Sequence, residues 1–322
     1  MHRSQGLVSA LLRCSCVCVL YRCKAEATGV THSNSSSPSR TPLRFRPLVC
    51  ERQLADDLLA DDLVGKAMIA ELQADGVDTS HIIVGKGGMS PSTYIIVDQQ
   101  TNTRTCIHTP GSPPLLPSEL SAAALTSLLA GASLAYFDGR LADTTIRICQ
   151  QAVDMGLPVL VDAEKPREGL DDLLAHATWG GDIVESASEA PSEDVDKALQ
   201  WVIRAAQEKG SKQGNPAVFS SRPLRLKSSA QGTEVAAQLV AATAVPLEAG
   251  QVVDTTGAGD AFIGAVLYAI SAGFTVDRML ILGATIAAAK CQALGARQGL
   301  PRRDDPRLAH LLEPELAVAS GL

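Results

Sequence analysis

Asp260 lies three residues after Gly257 in the run Asp254-Thr-Thr-Gly-Ala-Gly-Asp-Ala-Phe-Ile-Gly-Ala-Val-Leu267, at the mouth of an apolar helical stretch. Glycine lets a backbone turn sharply and approach a ligand closely. The amides of Gly257, Ala258, Gly259 and Asp260 can then face one small concavity. A helix start carries unpaired N–H donors and a partial positive charge, which suit a phosphate or a developing anion. A carboxylate beside such a cradle supplies a general base. Base and cradle at one point describe phosphoryl transfer to an alcohol. Asp260 also suits a plain helix-capping role, and the two roles are sterically compatible.

The elements that must hold this corner are legible in outline. The chain has 322 residues, 46% hydrophobic, 20% charged and only 3% aromatic. That length and balance fit one large globular domain rich in packed helices and buried parallel strands. The formal net charge of −7 argues against a nucleic-acid partner, and no apolar run has the length of a membrane span.

The first fifty residues differ from the rest. They hold seven Lys or Arg, one acid (Glu26) and five of the eight cysteines. Cys14, Cys16 and Cys18 are too tightly spaced for a zinc knuckle, and no second ligand pair follows. Residues 1–52 therefore read as a disordered leader or a transit peptide. Cytoplasm, chloroplast and mitochondrion all remain open as destinations. The three remaining cysteines (Cys106, Cys149, Cys291) are widely spaced, which suits a reducing compartment.

Beyond residue 53 the pattern alternates. A helix is expected over 54–75, a strand at 82–84, and a hairpin from strands at 93–98 and 104–109. Helix and strand then alternate over 118–176, with strands at 134–137 and 158–162. Strands joined by helices predict an α/β fold with a mainly parallel central sheet covered on both faces. Residues 178–250 are hard to read: a helix is expected over 194–209 and irregular chain over 220–229. A short strand at 251–253 should feed the glycine run. Helices over 260–272 and 276–294 follow it.

The run from Asp254 to Leu267 resembles the second signature of the ribokinase-like, or pfkB, carbohydrate kinases. Other strings carry the same resemblance: Gly76-Val-Asp-Thr-Ser-His-Ile-Ile, Asn102-Thr-Arg-Thr, Val161-Asp-Ala-Glu-Lys-Pro-Arg-Glu and Lys290-Cys-Gln-Ala-Leu-Gly. They look most like the ketohexokinase-related and plant pfkB-type members. The resemblance implies a ribokinase-like sandwich with a small β lid, here near 92–110. It implies ATP and Mg2+, a small sugar substrate, and Asp260 as catalytic base. Gly257, Ala258 and Gly259 would form the anion hole. By the same resemblance, Asp254 and Thr255 border a site for a monovalent cation such as K+. Asp254 equally fits a strand-end carboxylate capping nearby amides. Ala289, Cys291 and Gly295 fall where the family packs adenine, although a plain apolar helix explains them as well. Arg104 on the lid could meet substrate charge or simply be a solvated edge cation. For Mg2+ the candidate is Glu189, in Ser186-Ala-Ser-Glu. Lid pairing between subunits would make a homodimer.

Two departures stand out. No Gly-Gly-x-x-x-Asn string precedes residue 54, and Trp201-Val-Ile is not followed by Thr-x-Gly-x-x-Gly. Residues 53–316 are accordingly read as an incomplete kinase domain. Besides a sugar kinase, a nucleoside kinase of the same fold and a catalytically impaired nucleotide-binding homologue stay open.

Overall fold

The computed structural model describes residues 17–24, 59–98, 103–139, 142–162, 168–183, 216–220, 224–227, 234–248 and 250–312. The strands are β1 (Val17–Lys24), β2 (Leu59–Ala60), β3 (Val84–Gly85), β4 (Ser92–Asp98), β5 (Thr103–Thr109), β6 (Ala135–Phe137), β7 (Val159–Asp162), β8 (Trp179–Ile183), β9 (Val218–Ser220), β10 (Leu224–Lys227) and β11 (Glu234–Thr243). The helices are α1 (Leu63–Ala74), α2 (Ala122–Leu129), α3 (Ala142–Asp154), α4 (Leu170–Leu174), α5 (Ala258–Ser271), α6 (Val276–Lys290) and α7 (Ala309–Leu312).

Seven strands form the main sheet in the order β10-β11-β1-β8-β7-β6, with β9 also paired to β11. β6, β7 and β8 are mutually parallel. β1 runs antiparallel to both neighbours, and β9 and β10 pair antiparallel with β11. The parallel expectation thus holds at the β6–β8 end, where helices connect the strands, and gives way to antiparallel pairing at the other.

The sheet buries side chains on both faces, as alternation along a strand requires. Leu134, Tyr136 and Leu160 face one core, together with Phe262, Val266, Met279 and Leu280 from α5 and α6. Ala135, Phe137, Val159 and Val161 face the other, with Cys149 and Ala152 of α3. The result is an α/β sandwich of three layers.

Several local expectations change. Val17–Lys24, read as leader, is an interior strand of the sheet, which corrects the disordered reading at that stretch. Its sequence Val-Cys-Val-Leu-Tyr-Arg-Cys-Lys is rich in strand-favouring residues, a local signal that the basic composition masked. The helix expected over 54–75 begins only at Leu63, after β2. Asp62 caps it, accepting from the Gly65 amide at 2.7 Å, and also accepts from the Ser90 amide at 2.8 Å. Residues 251–253 form no strand, and 224–227, expected to be irregular, do. The helix expected over 194–209 lies outside the described residues. β4 and β5 pair in a separate two-stranded sheet, as the hairpin reading expected, and a Met89–Ser112 bridge closes its base.

α5 and α6 pack tightly against each other through Gly283. A methyl there would sit 2.5 Å from the buried Phe262 ring. This contact fixes how the start of α5 meets the end of α6. Gly283→Ala should therefore destabilise the fold by about 1–3 kcal/mol, through overpacking rather than lost burial. Urea denaturation checks this, and an unchanged midpoint would refute the tight contact.

Candidate active site

The candidate corner is built where α5 begins and α6 ends. Gly257 caps α5 in the left-handed region, φ 79°, without a side-chain cap bond. A methyl at Gly257 would lie 2.4 Å from the Ala296 carbonyl oxygen. Glycine is thus required on two grounds, the positive φ and the close approach of a second backbone. Gly257, Ala258 and Gly259 are half-buried, and Asp260 is exposed in the first turn of α5. A carboxylate there is favoured by the helix dipole. The Ala258 amide donates to the Thr255 carbonyl at 3.1 Å. This alters the expected cradle: the Ala258 amide is committed inside its own turn.

Asp254 is buried, 5% exposed, and its carboxylate is engaged on both oxygens. Oδ1 accepts from the Thr256 amide at 2.9 Å and from the Thr256 hydroxyl at 2.7 Å. Oδ2 accepts from the Gly295 amide at 2.8 Å. Burial pushes this carboxyl up. The Thr256 hydroxyl, the Thr256 and Gly295 amides and the nearby Lys290 charge outweigh burial and hold it at about 2.

Lys290, the last residue of α6, is fully buried. Its ammonium donates to the Asp254 carbonyl at 2.8 Å and to the Ala293 carbonyl at 3.2 Å. The Val253 and Asp254 amides both donate to the Cys291 carbonyl, at 2.8 and 3.2 Å. That is why 251–253 is no strand: its last amide caps a helix end instead of joining a ladder. Sequence reasoning missed Lys290 and Thr256 as working residues. The available signal was a lysine closing the apolar run Ile286-Ala-Ala-Ala, where a charge must find buried partners.

The other expected residues are placed as follows. Thr255 is exposed, next to buried Thr256. Ala289 is buried, 5% exposed, so its methyl faces the protein interior. Cys291 and Gly295 flank the turn that receives Asp254. Arg104 lies on β5, in register with Val97. Glu189 lies outside the described residues. Among the described residues no three His, Cys, Asp or Glu side chains gather as a metal site.

Comparison with known proteins decides the family. The profile of the pfkB family carbohydrate kinases matches residues 58–303, well over half of the chain. The chain belongs to the pfkB family of carbohydrate kinases. It is similar to a mouse ketohexokinase, 27% identical over 248 residues, covering 74% of this chain and 78% of that protein. A shorter stretch of 55 residues is 47% identical to an uncharacterized sugar kinase of Archaeoglobus fulgidus, covering 17% of this chain and 22% of that one. A ribokinase II candidate from E. coli, solved without ligand, is 18% identical with a TM-score of 0.50, covering 88% of this chain and 94% of that chain. That likeness shows the ribokinase-like fold. This pfkB-family chain is thus a phosphotransferase, and kinases of its family use ATP. Among the described residues no helix is long and apolar enough to cross a membrane.

Two outcomes test the corner. Gly257→Ala should cost about 1–3 kcal/mol of stability through backbone strain, and phosphotransfer should fall with it. Asp254 contributes stability that is present above its unfolded value, about 4. That contribution is lost as pH falls through its folded value, about 2. Asp254→Asn should remove this acid-side slope from urea midpoints. At neutral pH it should cost about 1–3 kcal/mol, because an amide cannot accept from all the donors around it. A variant with the same pH slope as the parent would contradict the assignment.

Proposed function

We propose that the protein transfers the γ-phosphoryl group of ATP to an alcohol group of a sugar of the ketohexose or ribose type. The observation that carries this reading is the start of α5. It joins glycine amides at a positive helix end to an exposed carboxylate one turn in, on a loop that buried bonds hold still. The relative described as a ketohexokinase supports the ketohexose side of the proposal.

In this mechanism the sugar hydroxyl approaches Asp260, which takes its proton as the oxygen attacks the γ-phosphorus. The new O–P bond forms while the bond to the leaving ADP oxygen breaks. The Gly257 and Gly259 amides meet charge on the transferring group, fixed in place before the reaction begins. Mg2+ bound with ATP supplies charge neutralisation at the phosphates. In this proposal Cys291 and Gly295 border the nucleotide, and Arg104 on the hairpin strand β5 would meet substrate charge. Asp260→Asn should lower kcat about 10²- to 10⁴-fold while leaving the urea midpoint near that of the parent. The assay is ADP release with Mg-ATP and a panel of fructose, ribose and adenosine. Equal turnover by the variant would remove Asp260 from the mechanism. Preference for adenosine would move the assignment to a nucleoside kinase, and nucleotide binding without turnover would indicate an impaired homologue.

The hairpin completes the proposal. Tyr94 and Ile96 share one face of β4, 72% and 57% exposed, and Ile107 on β5 is in register with Tyr94. Apolar residues in such a row commonly mark a contact surface. A homodimer through this face is expected, read by sedimentation, and Tyr94→Lys with Ile96→Lys should convert it to monomer.

A further inference from the structure

A monovalent cation at this corner needs oxygen ligands that the protein has not already used. The oxygens around Asp254 are engaged. Its carbonyl accepts from Lys290 at 2.8 Å, the Ala293 carbonyl accepts from the same ammonium at 3.2 Å, and the two carboxylate oxygens hold Thr256 and Gly295. A K+ ion in this cluster would have to displace a fully buried ammonium that is tethered to α6. The residues present do not fit the ion.

We infer that Lys290 is a positioning residue whose ammonium serves as a built-in cation, organising the anion hole without K+. Chemically, a buried ammonium donating to two backbone carbonyls satisfies what a bound monovalent cation would. The ammonium pulls the Asp254 and Ala293 carbonyls towards one centre, which draws the loop before α5 against the turn after α6. That turn contains Gly295, whose amide holds Asp254, and leads to Ala296, whose carbonyl packs on Gly257. Lys290 touches neither substrate nor the proposed reacting atoms. It acts through Asp254 and Gly257.

A second cation reinforces the same turn from outside. Arg297 forms ion pairs with Glu71 of α1 and with Asp75, which caps the end of that helix. These are exposed and contribute little. The internal ammonium has no water competing for it, so the corner depends chiefly on Lys290.

The inference rests on the phosphotransfer reading for its activity arm only. The first experiment compares the parent protein in K+, Na+ and tetramethylammonium chloride at matched ionic strength, reading melting temperature and ADP release. Equal melting temperatures and turnover in all three salts are expected. Activation by K+ of more than about tenfold over tetramethylammonium, or a K+-specific rise in melting temperature, would overturn the inference. The second experiment uses Lys290→Ala and Lys290→Met, with hydrogen exchange at the Thr256 and Gly295 amides. Loss of a charge-assisted bond should speed exchange at least about tenfold in both variants. Lys290→Ala leaves room for an ion, so K+ or ammonium should slow its exchange again and recover kcat more than KM. Lys290→Met fills that room and should not respond. Unchanged exchange in both variants would also overturn the inference. Exchange and melting report on the corner even without a substrate, which separates failure of this inference from failure of the kinase reading. If neither variant folds, the salt comparison on the parent still decides.

Discussion

The start of α5 depends on one buried ion. Lys290 closes α6, and its ammonium reaches back to the Asp254 carbonyl, three residues before the Gly257 cap. The ammonium and the Asp254 carboxylate are both out of water, where an unpaired charge is strongly disfavoured. Each charge therefore requires the groups that complete its hydrogen bonds: the Asp254 and Ala293 carbonyls for the ammonium, and Thr256 and the Gly295 amide for the carboxylate. Four segments are locked by this requirement: the Asp254–Thr256 loop, the Gly257 cap, the end of α6 and the Ala293–Gly295 turn. Helix propensity alone would let both helix ends fray.

The rest of the fold brings those ends together. α5 and α6 share one core with β6, β7 and β11, and Gly283 allows Phe262 to lie against α6. The opposite sheet face is filled by α3 and α4, with no part in the corner. The two cores divide the work. One supports the parallel β6–β8 region, and the other also presses two helices together so that a helix start and a helix end become neighbours.

The family, the glycine corner and the β6–α4 region were legible because they depend on local pattern. Leu134 to Phe137 and Pro158 to Asp162 are short apolar runs between helical segments, and the structure has strands there. The hairpin was legible from alternation on either side of a polar turn. Three features were not. β1 carries a local strand signal that the basic composition masked, and its interior place comes from long-range pairing with β8 and β11. The 251–253 segment looks like a strand in composition, but its backbone donors find a helix end first. Lys290 resembles an ordinary C-terminal helix lysine favoured by the dipole, and only tertiary burial distinguishes it from a solvated one. In each case the deciding partner lies far away in sequence.

In the proposed mechanism, Asp254 and Asp260 are two carboxylates that one loop keeps for different tasks. Asp254 accepts three hydrogen bonds and lies beside an ammonium, so its proton affinity is low and its oxygens are occupied. A group held this way is a poor base. Asp260, six residues on, is exposed at the first turn of α5. Its exposure at the helix start leaves it within reach of an incoming hydroxyl. Exchanging the two environments would fail on both counts: a solvated Asp254 would release the loop, and a buried Asp260 would be out of reach of a substrate hydroxyl. Rigidity of the first carboxylate is therefore what allows availability of the second, because a base at a helix start is useful only if that start stays in place.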